Sequence, residues 1–374
     1  MGNRKSWLGG MVLVLFLGSV TLGQAATTGK DLDGYANAAS ASISVQRVFR
    51  DALPSVADYT QTAYAQTAYD GEVESDDALA TAICGSPICG PDQRWILWDT
   101  PFLDWTRQDS RDGVNGYDFN ASGFATGISR LVSSNTTFGL AVGYDARELR
   151  SRDALLHTVK ADAFHAAFYG GTVVGGFNLD AYAGFSLASE RSKRNFADAA
   201  SFATANYTDY VWSGGVKVSY AFAPWESIRI IPSAGLDYSH LSTSTLNESQ
   251  AGAALFNGKA KKADSLQLPL LVTFNHTLNS RFLSYGGVPS RWTFEARGGW
   301  VPELGSQKFK YNASSAAGDK FSGRSVTRGR SYSTTGAGMK IQLNNRWIFG
   351  IDYDYQFDSD YSEHILSGTY GISF

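Results

Sequence analysis

The clearest pattern along this chain is an alternation of apolar and polar side chains. In residues 347–357 every second residue is large and apolar, and the residues between them are mostly polar or small. Segments 137–144 and 292–300 repeat this pattern. Because successive side chains of a β-strand point to opposite faces, each segment predicts a strand with one face in an apolar environment and the other in a polar one.

From residue 94 onward we count twelve such segments, and no run of 18 or more apolar residues interrupts them. An even number of strands returns the C-terminus to the side where the first strand began, as transmembrane barrels require. The predicted fold class is therefore all-β: a twelve-stranded antiparallel transmembrane β-barrel with a short N-terminal, partly helical segment. The predicted strands are 94–107, 117–132, 136–150, 156–172, 176–192, 207–223, 226–242, 263–279, 290–305, 330–343, 346–358 and 361–374.

The connections between these strands alternate between a mostly short and a mostly long class. Residues 133–135 and 344–345 are typical of the short class, whereas 191–206, 243–262 and 306–329 are long and polar. Bacterial outer-membrane barrels have short periplasmic turns and longer external loops. The alternation therefore predicts which end of the barrel faces the cell exterior.

Residues 1–25 predict a signal peptide that is cleaved during export. Arg4 and Lys5 precede a short apolar core, and small residues lead to Ala25. The apolar run is shorter than the roughly 20 residues that a membrane-spanning helix needs. The predicted location is the outer membrane of a Gram-negative-type bacterium.

Residues 26–93 form a short N-terminal segment without strand alternation. Residues 36–53 are rich in helix formers, and Pro54 is expected to end that helix. The pattern leaves open whether the segment plugs the barrel, is displayed outside the cell or lies in the periplasm. Cys84 and Cys89 are predicted to form a disulfide ring, because export permits oxidation and no further metal ligands lie nearby.

Composition excludes several other classes of protein. Charged residues are 18% of the chain, below the roughly 25% of soluble domains. The net charge is −3 and no run of about five or more basic residues is present, so no nucleic-acid partner is expected. No familiar catalytic or nucleotide-binding motif is present, so we expect no enzyme activity and no catalytic, cofactor-binding or metal-binding residues. An outer-membrane hydrolase remains the lesser alternative, with His157 and His240 near external strand ends.

The polar face of the predicted strands is expected to line the barrel lumen. Charges inside a protein must be paired, so a ladder of ion pairs is favoured over a constriction that selects solutes. The lumen is also expected to be narrower than that of porins with 16–18 strands, and a segment of the chain is a candidate to fill it. The predicted lumen-lining residues are Asp180, Lys217, Arg229, Asp237, Glu295, Arg297, Lys340, Asp352 and Asp354.

The order of several features over residues 94–374 resembles the autotransporter β-domain, a twelve-stranded outer-membrane translocator. Gly116-Tyr117 open the second strand, Ser133–Asn135 form the turn before a glycine-rich third strand, and the penultimate strand is rich in tyrosine. The longer stretches that carry the resemblance are 116–152, 232–241 and 347–374. The aromatic C-terminus resembles the signal that directs such barrels to assembly. Its residues are Leu366, Tyr370, Ile372 and Phe374.

The resemblance implies that the barrel translocates, displays or is plugged by its own N-terminal segment. The implied partners are outer-membrane lipid, the barrel-assembly machinery and periplasmic chaperones, with a monomer favoured. Only about 68 residues, 26–93, separate the signal peptide from the barrel, and they hold no repeat, so a large passenger is not expected. The alternative is a stand-alone outer-membrane channel or structural barrel whose external loops bind partners.

Overall fold

A computed structural model of the chain describes twelve ranges of residues. They are 33–55, 95–133, 135–152, 157–195, 202–249, 256–258, 261–285, 288–305, 310–315, 320–324, 331–343 and 346–374. The predicted signal peptide and the predicted Cys84–Cys89 disulfide lie outside these ranges. One helix, α1 (Asp33–Asp51), is described, and among the described residues no helix combines the length and hydropathy needed to cross a lipid bilayer.

The described part of the chain after α1 consists almost entirely of strands. In chain order they are β1 (Trp95–Gln108), β2 (Tyr117–Ser133), β3 (Thr136–Ser151), β4 (Thr158–Val174), β5 (Phe177–Asn195), β6 (Phe202–Tyr220), β7 (Phe222–Trp225), β8 (Ile228–Thr243), β9 (Leu246–Ser249), β10 (Phe256–Gly258), β11 (Lys261–Gln267), β12 (Leu270–Tyr285), β13 (Val288–Pro302), β14 (Lys310–Ser315), β15 (Lys320–Arg324), β16 (Ser331–Leu343), β17 (Trp347–Phe357) and β18 (Tyr361–Ser373).

These strands close into a twelve-stranded antiparallel barrel, which confirms the predicted fold class. The wall runs through β1 to β6, β8, β11 with β12, β13, β16, β17 and β18, and every neighbouring pair is antiparallel. Strands β11 and β12 together form one wall strand, because both pair with β8. The pairing of β18 with β1 closes the wall, with register partners from Ile96↔Ser373 to Gln108↔Tyr361.

Side chains alternate across the wall as the sequence predicts. Outward positions carry apolar and aromatic residues that are exposed on the isolated chain, including Phe164, Trp212 and Trp300. On β3, Leu140 and Val142 point outward while their neighbours are buried. The outer surface is therefore suited to lipid, and the barrel core lies inside the wall.

One tight turn shows how the local sequence allows two wall strands to be joined by only two residues. Gly175 and Gly176 connect β4 to β5, and their φ angles are +58° and +86°. Two-residue hairpin turns that match the strand twist need positive φ at both positions, which glycine adopts without a steric penalty.

Two predicted loops contain additional strands. The predicted loop 243–262 includes β9 and β10, and the predicted loop 306–329 includes β14 and β15. Strand β9 pairs with β6 and with β10, while β14 pairs with β10 and β15. These strands extend the wall beyond the membrane on the long-loop side, where the outer face needs no apolar side chains while inward residues such as Leu246 and Glu248 are buried. Without an apolar outer face their sequence lacks the alternation of the lipid-facing strands, which is why the prediction missed them.

The helix α1 lies inside the barrel, and its presence confirms the predicted helical part of the N-terminal segment. Its buried residues Ala38, Ala41, Val45 and Val48 share one apolar cluster with inward residues of the wall. With 19 residues, the helix is about 28 Å long, enough to cross most of the membrane thickness through the lumen.

We expect deletion of Phe374 to lower the amount of folded barrel several-fold. The backbone N–H of Phe374 donates to Trp95 O (2.9 Å), and the N–H of Trp95 donates to Phe374 O (3.0 Å), so this residue ends the closing seam. The measurement is the heat-modifiable band of outer-membrane fractions run on gels with and without boiling. Phe374→Tyr keeps the terminal ring and is the control, and normal levels of folded barrel without Phe374 would contradict the expectation.

We expect Ile351→Arg to destabilise the barrel by roughly 2–4 kcal/mol, because a cation on the lipid face near the bilayer midplane is costly. Ile351 points outward from the middle of β17 and is 52% exposed. Asp352→Asn is the matched control on the next residue, which points inward to Arg297 (3.0 Å). Urea unfolding of the refolded barrel measures both variants, and equal losses would show that the two faces are wrongly assigned.

Candidate functional site: a helix held in the barrel lumen

A buried glutamine fixes the middle of α1 to three wall strands. The Gln46 amide nitrogen donates to Ser213 Oγ on β6 (2.9 Å). Its carbonyl oxygen accepts a hydrogen bond from the Ser186 hydroxyl on β5 and lies 3.1 Å from Nδ1 of His165 on β4. A buried amide is costly unless it is hydrogen-bonded, so this cluster selects one depth and one rotation for the helix.

The cluster continues into a buried charge network in the wall. Nε2 of His165 contacts the carboxylate of Asp145, which also forms an ion pair with the guanidinium of Arg147. All three side chains are almost fully buried. Since a buried carboxylate must be paired, the network holds the His165 ring in the orientation that places Nδ1 at the helix.

Ser186, His165 and Asp145 are the residue types of a nucleophilic triad. Here, however, the serine and the histidine are hydrogen-bonded to Gln46 of α1. Ser186 Oγ lies 2.6 Å from His165 Nδ1, and both residues are buried. The helix covers them, because the Gln46 carbonyl oxygen meets the serine and the Phe49 ring stacks on the His165 ring at 4.9 Å. The helix therefore separates the serine from a substrate carbonyl in the lumen. The cluster instead holds α1 in place, and we call it the clasp; its residues are Gln46, Asp145, Arg147, His165, Ser186 and Ser213.

Small wall residues make room for the helix on this side of the lumen. An added Cβ at Gly143 would lie 2.7 Å from the Phe49 ring, and one at Gly184 would lie 3.2 Å from the Gln46 amide nitrogen. Phe49 also packs with Trp98 and Tyr169, and the Trp98 indole N–H donates to the Tyr169 hydroxyl (2.6 Å). The β1–β5 side of the lumen is thus shaped to the helix.

Ion pairs and hydrogen bonds hold the C-terminal end of α1. Arg50 Nη1 lies 2.7 Å from Asp237 Oδ2 on β8, and the Tyr182 hydroxyl donates to the same carboxylate (3.2 Å). Arg50 Nη2 also lies 2.6 Å from Asp51 Oδ1 on the helix itself, so two carboxylates face this guanidinium.

The two ends of α1 lie at opposite ends of the barrel. Near the start, Asn37 Nδ2 donates to the backbone oxygen of Asn115, in the β1–β2 connection (3.0 Å). Just beyond the helix, Ser55 donates to Asp180, close to the start of β5 (2.7 Å). Because β5 follows a short turn, the helix runs from the long-loop end to the short-turn end.

The lumen beside the helix holds a second charge cluster. Arg297 forms a bidentate pair with Asp354 (2.7 and 2.6 Å), and its Nη1 also contacts Glu295 (2.6 Å) and Asp352 (3.0 Å). A cavity of about 420 Å³ adjoins this cluster and the end of α1. Lys217 and Lys340 also line it.

The sequence-predicted lumen residues thus fall into separate groups. Asp237 meets the helix, Asp180 lies 3.4 Å from Lys217, and Arg297 gathers Glu295, Asp352 and Asp354. Lys340 lines the cavity, and Arg229 lies on β8 as the register partner of Asn275 on β12. The prediction did not include the clasp residues Gln46, Asp145, Arg147, His165, Ser186 and Ser213, although alternation marks each wall residue among them as inward.

Other candidate chemistry is not assembled by the described residues. His240 lies on the outer face of β8 beside Asp264 (2.8 Å), whereas His157 is buried. Within the described ranges, no three His, Cys, Asp or Glu side chains form a group suited to a metal ion.

We expect Gln46→Ala to loosen α1 without opening the wall. The change leaves the buried Ser213 and Ser186 hydroxyls without their amide partner, a cost of roughly 1–3 kcal/mol. Amide hydrogen exchange of residues 43–50 in the detergent-solubilised barrel should accelerate by at least tenfold. Asp51→Asn, at an exposed site on the same helix, is the control with little change. Unchanged exchange in Gln46→Ala would show that the hydrogen bonds of Gln46 do not hold the helix in place.

The chain matches the family model of the autotransporter beta-domain over residues 97–354. Outer membrane protein B of Rickettsia japonica is 24% identical over 300 residues, which cover 77% of this chain and 18% of that protein. An extracellular serine protease of Serratia marcescens is 23% identical over 363 residues, which cover 94% of this chain and 31% of that protein. The chain thus spans less than a third of the length of these curated relatives.

Solved structures agree on the fold. The translocator domain of autotransporter NalP from Neisseria meningitidis superposes with a TM-score of 0.62 at 13% identity, over 94% of this chain and 100% of that chain. The beta domain of the Bordetella autotransporter BrkA gives a TM-score of 0.53 at 16% identity, over 75% of this chain and 100% of that chain. With the closed barrel, these matches place the chain in the outer membrane of a Gram-negative bacterium, and it belongs to the autotransporter β-domain family.

Proposed function

We propose that this barrel directs the chain that precedes α1 to the cell exterior and then keeps α1 in its lumen as a plug. The observation that carries the proposal is the set of hydrogen bonds from Gln46 to β4, β5 and β6. A helix that lay loosely in a wide pore would not require a buried side-chain amide with hydrogen-bond partners on three strands. The mechanism requires no bond to be made or broken, and no chemistry is assigned to the barrel.

The direction of α1 supports display of the preceding chain. Asn37 lies at the β1–β2 connection, and the helix ends near Asp180 and the short turns. Long loops face the exterior in outer-membrane barrels, so the N-terminal end of α1 lies at the end of the barrel that faces outward. Ser55 lies at the end where β1 begins, as expected of a chain that passes through the lumen once before it enters the wall.

The fit of the lumen supports retention of α1 rather than free passage of solutes. The helix buries Val45, Val48 and Phe49 against the wall, and Arg50 pairs with Asp237. Removing one partner of a buried ion pair costs about 3–5 kcal/mol, so withdrawal of the helix must overcome both polar contacts and apolar burial.

The second candidate function is a stand-alone channel with partner-binding external loops. The charged cavity beside α1 favours it, because Lys217, Arg297 and Lys340 line a water-accessible space that is not filled by the helix. The two functions differ in the effect of α1 on conductance. A plug blocks current, whereas a channel conducts with the helix in place.

We expect the full chain to conduct weakly in planar lipid bilayers, and deletion of residues 33–55 to raise single-channel conductance several-fold, because the deletion empties the side of the lumen that α1 fills. Asp51→Asn is the control and should conduct like the unmodified chain. Equal conductance with and without residues 33–55 would contradict the plug and favour the stand-alone channel.

An epitope placed immediately before Asp33 should be reached by antibody and protease on intact cells, because the N-terminal end of α1 lies at the long-loop end. The same epitope in the β16–β17 connection, after Leu343, is the matched control at the opposite end and should be reached only after permeabilisation. The reverse pattern would overturn the proposed direction of the helix.

A further inference from the structure

A basic patch lies on the outer surface of the barrel, separate from the lumen. It consists of Arg150 on β3, Lys160 on β4, and Arg191 and Lys193 on β5, and we call these four residues the basic patch. Strand pairing brings them together, because Lys160 is the register partner of Arg191 and Thr158 is the partner of both Arg150 and Lys193. Exposed fractions of the side chains are 62% for Arg150, 53% for Lys160 and 59% for Arg191.

The apolar residues below the patch on its own strands indicate its height relative to the membrane. One apolar row follows the strand register across five neighbouring strands. Its members are Phe124, Tyr144, Phe164, Leu187 and Tyr210. Outer-membrane barrels place such a girdle at the membrane interface. Lys160 and Arg191 lie four residues further toward the long loops, which puts the patch about 10 Å above the girdle on strands tilted by about 40°. This is the level of the lipid headgroups.

Nearby carboxylates position the cations without neutralising them. Glu148 contacts Arg150 (2.7 Å) and Lys160 (3.6 Å), and Asp162 contacts Arg191. Four cations therefore face two carboxylates, which leaves a net charge of +2. A third carboxylate, Asp118, is the register partner of Arg150 on β2 and is matched by a further cation, Arg152 (3.9 Å).

The patch is confined to one side of the barrel. Among the described residues of β13, β16 and β17, no charged side chain points outward, since their charged residues lie on the lumen face. Arg107 on β1 lies in the same register row as Arg150, two strands away, and is paired with Asp109 (3.3 Å). Two other outward cations lie away from the patch: Arg130, which lies over the Trp95 ring near the short turns, and Lys262 on β11, which lies near Asp264. Clustering, rather than the mere presence of cations, distinguishes the patch.

We propose that the basic patch binds the phosphate groups of the outer-leaflet glycolipid, lipopolysaccharide. Guanidinium groups bind phosphate oxygens in a bidentate manner, and ammonium groups bind them as compact point charges. Clusters of basic side chains at headgroup level bind anionic lipids, and the outer leaflet of this membrane presents its phosphates at that level. Apolar row residues below the patch provide the surface against which the acyl chains of the same lipid pack.

The test uses the full chain, purified in detergent, with two probes: lipopolysaccharide carrying phosphorylated lipid A, and the same glycolipid after enzymatic dephosphorylation. Native mass spectrometry measures the fraction of barrel that retains each lipid. We expect the unmodified chain to bind the phosphorylated form at least tenfold more tightly. Equal binding of the two forms would overturn the proposal, and this comparison does not depend on any variant folding.

A matched pair of double variants tests the location. Lys160→Gln with Arg191→Gln removes two charges from the patch, and Arg130→Gln with Lys262→Gln removes two outward charges elsewhere. The patch variant should lose about tenfold or more in affinity for the phosphorylated lipid, and the control less than twofold. Equal losses in the two variants would show a general charge effect and contradict the assigned site. The heat-modifiable band confirms folding of both.

Discussion

The pairing of β18 with β1 is the interaction on which the rest of this structure depends. A lipid bilayer offers no partner to a backbone N–H or C=O, so a sheet in the membrane has to close on itself. Here the seam runs from Gln108↔Tyr361 to the mutual hydrogen bonds of Trp95 and Phe374. The backbone of Phe374 thus completes the seam, which gives β18 a structural role in closing the wall.

Closure creates an interior that has to be filled or hydrated. The β1–β6 side is filled by α1, with Gly143 and Gly184 giving the helix room and Gln46 fixing its position. The β12–β18 side keeps a cavity, where Arg297 holds three carboxylates within hydrogen-bonding distance. The lumen is therefore divided into one half that α1 occupies and one charged half, in which the inward charges of the wall are paired with each other.

Much of the wall could be predicted from the sequence because lipid imposes a pattern on every strand. The alternating residues 347–357 coincide with β17, Trp347–Phe357, and the predicted strand 346–358 exceeds it by one residue at each end. The same alternation identifies Asp237 and Arg297 as inward, but it cannot say what they meet, since Arg50 is 187 residues from Asp237 along the chain. Strands β9, β10, β14 and β15 were missed because they lie beyond the lipid, where no apolar face is required.

The clasp was missed for a related reason. Gln46 lies in a stretch whose composition predicts a helix but not its surroundings, and His165 and Ser186 are ordinary inward residues until the helix lies against them. A closed wall predicts which residues face the lumen, whereas only the docked helix shows which of them act together. The outer patch follows the same logic, because strand register rather than sequence spacing brings Lys160 beside Arg191.

The position of α1 is the central claim, and cysteine cross-linking in intact cells tests it most directly. In a chain with Cys84→Ser and Cys89→Ser, Ser55→Cys is combined with Asp180→Cys, because the native side chains are 2.7 Å apart. A short bifunctional thiol reagent should join the two cysteines and change the mobility of the boiled chain. The pair Ser55→Cys with Asp118→Cys, on the outer face at the opposite end, should not react. A folded, heat-modifiable barrel whose two cysteines at 55 and 180 label singly but never join would contradict the account.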